Sequence, residues 1–190
     1  MSTDKLSEEE KQTLLHIARE SLERSVKGEK LTPLDLESMP PLLRGQGASF
    51  VTLTIRGALR GCIGALEPYQ PLAFDVREHT IAAGLEDPRF PPVSLSELDQ
   101  VEVEVSRLTV PERLEYKGAD DLLAKLRPRV DGVILRDGFR RATFLPQVWD
   151  KIPDKADFLD NLCYKMGASQ NLWRQKHLEV LIYQVEEFRE

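Results

Sequence analysis

Cys62 stands in the stretch Leu59-Arg-Gly-Cys-Ile-Gly64, between two glycines and two residues after Arg60. A thiol so placed can act as a nucleophile or redox group once deprotonated, because the thiolate is the reactive form. A nearby cation favours that form. In a strand, residues i and i+2 point the same way, about 6–7 Å apart, so Arg60 would approach the sulfur and stabilise its anion. Gly61 and Gly64, lacking side chains, would let a ligand or another backbone come close. The same residues also fit a plain structural role, since cysteine is among the most buried small residues and strand glycines mark bulges and close packing. The residues alone leave both readings open.

Catalysis at a cysteine also needs a proton acceptor, and the chain has three histidines. His79 follows the cysteine strand on the apolar side of a predicted helix, within range to serve Cys62, although that position equally suits a hydrogen-bonded core histidine. A carboxylate is the other candidate acceptor. His16 and His177 carry no accompanying motif, and Cys163 falls at core spacing with Leu159 and Met166. Cys62 and Cys163 show no CxxC spacing, so no disulfide framework, zinc site or other metal site is assigned. No GxGxxG, P-loop, HExxH, EF-hand or GxSxG pattern occurs, and no cofactor is named by the residues.

The elements that must position these groups follow from periodicity. Ser7 and Glu10 form a capping box ahead of Leu14, Leu15, Ala18, Leu22 and Val26 at helical spacing, and Gly28 suits the helix end. Prolines and glycines from Pro33 to Gly47 predict an extended loop or short turns. Ser49 to Ala65 reads as a hairpin broken near Arg56-Gly57. A loop of Arg56-Gly57-Ala58 would pair Ile55 with Leu59 and Val51 with Ile63, gathering the aliphatic residues on one face. The other face would carry Thr52, Thr54, Arg60 and Cys62, which makes the two threonines part of the candidate site.

A helix is predicted from Pro71 to Gly84, and the prolines of Glu86-Asp-Pro-Arg-Phe-Pro-Pro92 forbid its continuation. Alternation of Val101, Val103 and Val105 with polar residues predicts a half-buried strand. Ala119–Leu126 reads as a short helix, and Gly132–Leu145 as a second hairpin turned at Asp137-Gly138. Pro146 opens a turn through Trp149, a helix starts at Asp154 or Lys155 and stops at Gly167, and Leu178–Phe188 reads as one strand. Without a βαβ rhythm, the fold class is α+β with mainly antiparallel pairing.

The chain of 190 residues has 41% hydrophobic residues, enough to bury a substantial core. Its 26 Lys and Arg against 32 Asp and Glu give a net charge of -6, which disfavours nucleic acid as a partner. Arg127, Arg129, Arg136, Arg140 and Arg141 form a local basic cluster that reads as a solvated surface. No stretch has the apolar core of a signal peptide or the roughly 18 residues of a membrane helix, so the expected location is cytoplasmic with no membrane partner.

The hexapeptide LRGCIG resembles the signature of the AMMECR family, also called AmmeMemoRadiSam system protein A. Phe50-Val-Thr-Leu53, Asp87-Pro-Arg-Phe90, Asp131-Gly132, Phe144-Leu-Pro-Gln-Val148 and Cys163-Tyr-Lys-Met-Gly167 follow in order and are similar to that family's pattern. The resemblance implies a single two-lobed α+β domain over residues 1–190, with both termini in the larger lobe. It also implies a role beside a Memo-like protein and a radical SAM protein in a modification pathway. Site residues carried over are Arg60, Gly61, Cys62 and Gly64, with Asp87 and Arg89 from DPRF and Gln147 from LPQV. The alternative is a non-catalytic module that binds a protein or small-molecule ligand through the LRGCIG and DPRF surfaces, and there Arg89 is equally suited to a structural clamp.

Overall fold

A computed structural model describes residues 5–190, which divide into two compact units. The first consists of the described residues up to Thr109 together with Glu186–Glu190, and the second of Val110–Val185. In chain order the first contributes α1 (Glu8–Lys27), α2 (Pro41–Arg44), β1 (Gln46–Ile55), β2 (Ala58–Gly64), β3 (Gln70–Pro71), α3 (Leu72–Leu85) and β4 (Val101–Leu108). The second contributes β5 (Glu112–Arg113), α4 (Ala119–Lys125), β6 (Gly132–Asp137), β7 (Arg140–Phe144), α5 (Lys155–Lys165), α6 (Leu172–Gln175) and β8 (Glu179–Tyr183). The last strand, β9 (Val185–Arg189), returns to the first sheet.

That first sheet runs β2-β1-β4-β9, with β3 paired to the start of β1, so β2 lies at an edge. Its β1 pairs antiparallel with both β2 and β4. The second sheet runs β5-β8-β6-β7, with every pair antiparallel. The molecule is therefore α+β with mainly antiparallel sheets, as its patterning predicts. Among the described residues no helix is long and apolar enough to cross a membrane.

The capping box forms as read from the sequence: Ser7 Oγ accepts the Glu10 N–H at 3.2 Å and the Glu10 carboxylate accepts the Ser7 N–H at 2.7 Å. Gly28, at φ 68°, ends α1 in the left-handed region. α3 packs on β1 and β2, and α1 on α3 and β4. Leu14, Leu22, Val51, Leu53, Val76, Val103 and Val105 are all buried in the resulting core. The second unit has its own core, in which Trp149 stacks on Phe158 with ring centroids 3.6 Å apart.

The cysteine hairpin differs from its expected form at the turn. Ile55 pairs with Ala58, so the loop is the two-residue Arg56-Gly57, both at positive φ (52° and 77°). This is the backbone of a type I′ turn, which matches the strand twist better than the longer loop. Away from the turn the register is the expected one, with Val51 opposite Ile63 and Thr52 opposite Cys62. The register shifts between Leu53–Gly61 and Thr54–Leu59, so Arg60 is the extra residue of a β-bulge. The bulge thus reconciles a tight turn with an aliphatic face turned to the helices.

Two other elements depart from expectation. In the second hairpin Asp137 pairs with Arg140, so the loop is Gly138-Phe139, and Gly138 takes the positive φ of 61° at its first position. The final apolar run is not one strand. It breaks at Gln184 into β8 and β9, which belong to different sheets.

Gly61 lies on the helix side of β2, where an added Cβ would come within 2.0 Å of the Ala83 carbonyl oxygen of α3. Backbone cannot yield there as a flexible side chain would. Gly61→Ala should destabilise the protein by roughly 3 kcal/mol, at the upper end of ordinary overpacking. Urea unfolding checks this: a midpoint equal to that of the unmodified protein would show that α3 and β2 separate freely.

Candidate functional site

Cys62 occupies an edge strand, and its register opposite Thr52 turns its backbone N–H and C=O outward from the sheet. Such unpaired groups invite further strand pairing and are normally covered. Here the segment after α3 covers them. Asp87 Oδ2 accepts the Cys62 N–H at 2.9 Å, and Arg89 Nη2 donates to the Cys62 carbonyl at 3.1 Å. The two side chains are joined through Arg89 Nε to Asp87 Oδ1 at 2.9 Å and Arg89 Nη2 to Asp87 Oδ2 at 2.6 Å. Asp87 is buried, whereas 53% of the Arg89 side chain is exposed.

The Asp87 carboxyl is held well below the usual carboxylate range, first by the Arg89 hydrogen bond and then by the Cys62 N–H. The Arg89 guanidinium is pushed above its ordinary value, again first by its hydrogen bond to Asp87. The cation beside the cysteine is therefore Arg89.

Arg60 is directed elsewhere. From the bulge its Nε and Nη2 hold the two oxygens of Glu97 at 2.8 and 3.2 Å, while Nη1 and Nη2 reach the carbonyls of Pro91 and Pro92 at 2.9 and 3.3 Å. Arg60 thus fastens the proline-rich connection along the same edge that Asp87 and Arg89 cap. Glu97 escaped the sequence reading because its partner lies 37 positions away. The capping-box spacing of Ser94 and Glu97 was the available signal, and Ser94 N–H and Oγ do donate to Glu97, each at 2.8 Å.

The sulfur itself lies on the face of the sheet opposite Gly61 and α3, and is half-buried. Thr52 Oγ1 donates to Cys62 Sγ at 3.4 Å. Glu104 stands opposite Thr52 on β4, so thiol, hydroxyl and carboxylate form one row across three strands. Thr54 lies on this face as well, two pairs closer to the turn and opposite Leu59. Glu104 could not be singled out from the sequence, because the partner of β1 on that side was unknown.

The structure does not bring His79 to this row. His79 is buried on α3, on the other side of the sheet, with Nδ1 3.2 Å from Asp75 Oδ2 but outside hydrogen-bond geometry. Asp75 accepts the Ser49 hydroxyl at 2.6 Å, and the His79 ring meets Tyr69 edge-on. The room left by the glycines is filled by protein: Ala83 at Gly61, and the Phe50 ring with the Ser49 carbonyl at Gly64. Gln147 belongs to the second unit, in a 3-10 turn over Pro146–Asp150. That turn is tied to the Asp131-Gly132 segment by Trp149 Nε1, which donates to the Asp131 carbonyl at 2.7 Å.

Cys163 is fully buried in the core of the second unit, and burial pushes its thiol up. Among the described residues no group of His, Cys, Asp and Glu is arranged to hold a metal ion.

Fold and site together define an α+β protein whose edge strand carries a half-exposed thiol, capped along its backbone by an Asp-Pro-Arg-Phe segment. Residues 15–188 match the AMMECR1 family, and the chain belongs to it. A protein of Methanothermobacter thermautotrophicus is 40% identical over 190 residues, covering 97% of this chain and 96% of its own length. One from Thermofilum pendens is 38% identical, covering 98% and 92%. The crystal structure of an uncharacterised protein from Pyrococcus horikoshii superposes with a TM-score of 0.73 at 35% identity, over 93% of this chain and 89% of that one.

The charged clamp makes stability depend on pH in a defined direction. Glu97 is lowered to about 2, first by the Arg60 hydrogen bond and then by Ser94, and Asp87 is depressed as well. A carboxyl depressed in the folded state stabilises it fully above the unfolded value, about 4.3 for Glu, and loses that contribution as pH falls through the folded value. Glu97→Gln should cost about 1–2 kcal/mol at pH 7. The gap to the unmodified protein should narrow from about pH 5 towards pH 2, as followed by urea unfolding at stepped pH. A pH-independent gap would show that Glu97 acts through packing instead.

Proposed function

We propose that this protein is a component of a modification pathway, working with Memo-like and radical SAM partners through a site centred on Cys62. The observation that carries the reading is the Cys62–Thr52–Glu104 row, with the Arg89 cation at the strand edge. In this reading Cys62 is the nucleophile or covalent acceptor, and the Thr52 hydroxyl donates to the thiolate. Glu104 or solvent takes the thiol proton. Arg89 supplies counter-charge and, with Asp87, holds the cysteine backbone. Arg60 acts one step removed, by fixing the bulge next to it. The partners rest on the family resemblance, and no resident cofactor is assigned.

Iodoacetamide labelling followed by mass spectrometry tests the site. Cys62 should label readily at neutral pH while Cys163 stays protected. Thr52→Val, which removes the hydroxyl donated to the sulfur, and Arg89→Met, which removes the counter-charge at the strand edge, should each slow Cys62 labelling by roughly tenfold. Arg89→Lys should retain most of the rate. A Cys62 that labels no faster than Cys163 would sink the proposal.

A second reading is favoured by one observation: Asp87 and Arg89 bond to each other and to the Cys62 backbone, and Arg60 bonds to Glu97 and the Pro91 and Pro92 carbonyls, as a structural surface would. In that case the LRGCIG and DPRF surfaces form a non-catalytic binding module. Cys62→Ser would then capture the Memo-like and radical SAM partners as well as the unmodified protein does under reducing conditions, whereas a covalent role predicts loss of a thiol adduct in that variant.

A further inference from the structure

A second feature lies wholly within the second unit and takes no part in the Cys62 site. It is a cavity of about 150 Å³ between the chain entering α4 and the chain leaving α6. Lys117, Arg174, Lys176 and His177 line it, with Tyr116 and Trp173 as walls, and no carboxylate is among its lining residues. On a chain of net charge -6 this is a local reversal of sign.

The walls are fixed from behind. The Tyr116 hydroxyl accepts the Leu178 N–H at 2.8 Å and donates to the Leu178 carbonyl at 2.9 Å, and the Tyr116 ring stacks on His177 with centroids 4.1 Å apart. Asp160 takes the Trp173 indole N–H and one Arg174 N–H, both at 2.6 Å, so the guanidinium is set over the indole at 4.0 Å. Asp137 takes the Lys176 ammonium at 2.5 Å but also Arg140 at 2.6 Å, one carboxylate against two cations. Asp121 receives the Lys117 backbone N–H and the Lys125 ammonium. The Lys117 ammonium, the other guanidinium donors of Arg174 and the His177 imidazole make no hydrogen bond to the described residues. They remain available to an acceptor in the cavity.

We propose that this cavity binds the phosphate group of a small phosphate monoester. A tetrahedral oxyanion accepts from several donors at once, and a planar guanidinium joined by ammonium groups is the donor set suited to it. The volume is below the about 300–1,000 Å³ that encloses a drug-sized ligand, so the cavity takes the charged head and leaves the organic part outside. The exposed His177 ring, stacked on Tyr116, then offers that part a flat surface.

Titration followed by amide and indole NMR tests the proposal, using inorganic phosphate and phenyl phosphate at low ionic strength, with potassium chloride matched in ionic strength. Both should give saturable shifts at Gly118, the Trp173 indole N–H and His177, with phenyl phosphate the tighter if an ester is the natural source and the two equal if free phosphate is. Lys117→Ala should weaken binding roughly tenfold, as expected for loss of a charge-assisted hydrogen bond. Arg129→Ala, which removes a cation paired with exposed Asp150, should leave it unchanged. Shifts that the chloride control reproduces, or an affinity equal in Lys117→Ala, would overturn the assignment.

Discussion

The free edge of β2 is the constraint on which the first unit turns. A hairpin strand with one side unpaired must have its outward amide and carbonyl groups satisfied, and the chain does this with an ion pair in place of another strand. Asp87 presents acceptor oxygens where a partner strand would present a carbonyl, and Arg89 presents a donor where a partner would present an amide. Two prolines follow, whose missing N–H groups make them poor strand partners, and their carbonyls meet the Arg60 bulge. One short connection thereby stops the sheet from growing and fixes the angle at which Cys62 is held.

The glycines on either side of the cysteine belong to the same arrangement. Gly61 admits the backbone of α3 and Gly64 admits the Phe50 ring, so both set how closely β2 approaches its neighbours. The alternation of the strand then forces Cys62 to the face away from the helices. The hexapeptide is thus one packing solution in which every residue is committed: the glycines to contact, the arginine to the edge, and the thiol to the open face beside Thr52.

Local signals read well from the sequence. The capping box, the end of α1 at Gly28, the valine alternation of β4 and the core stripe of α5 each depend on residues within a turn or two of one another. Polar partners far apart in the chain did not. Arg60 looked like the companion of Cys62 because they are two positions apart, yet a bulge is invisible in a pattern of period two, and its true partner, Glu97, is distant in sequence. His79 sits on the apolar side of its helix as its spacing implies, but only the sheet shows that this side faces away from the thiol. The tail misled for another reason: Gln184 is an unremarkable residue in an apolar run, and the break there is dictated by two sheets competing for one segment.

That break has a consequence for the order in which the chain can organise. Val110–Val185 interrupts the first unit between β4 and β9, so the outer strand of the first sheet is contributed only after the entire second unit has been traversed. Closing a flexible loop of that length carries an entropic penalty that grows, slowly, with the number of residues in it. Yet β5 and β8, close to the entry and exit of the inserted unit, are paired to each other. Once that unit has formed, its ends are already neighbours, and β9 reaches β4 as though across a short connection. The inserted unit works as a folding staple, turning the most distant pairing in the first sheet into a nearly local one.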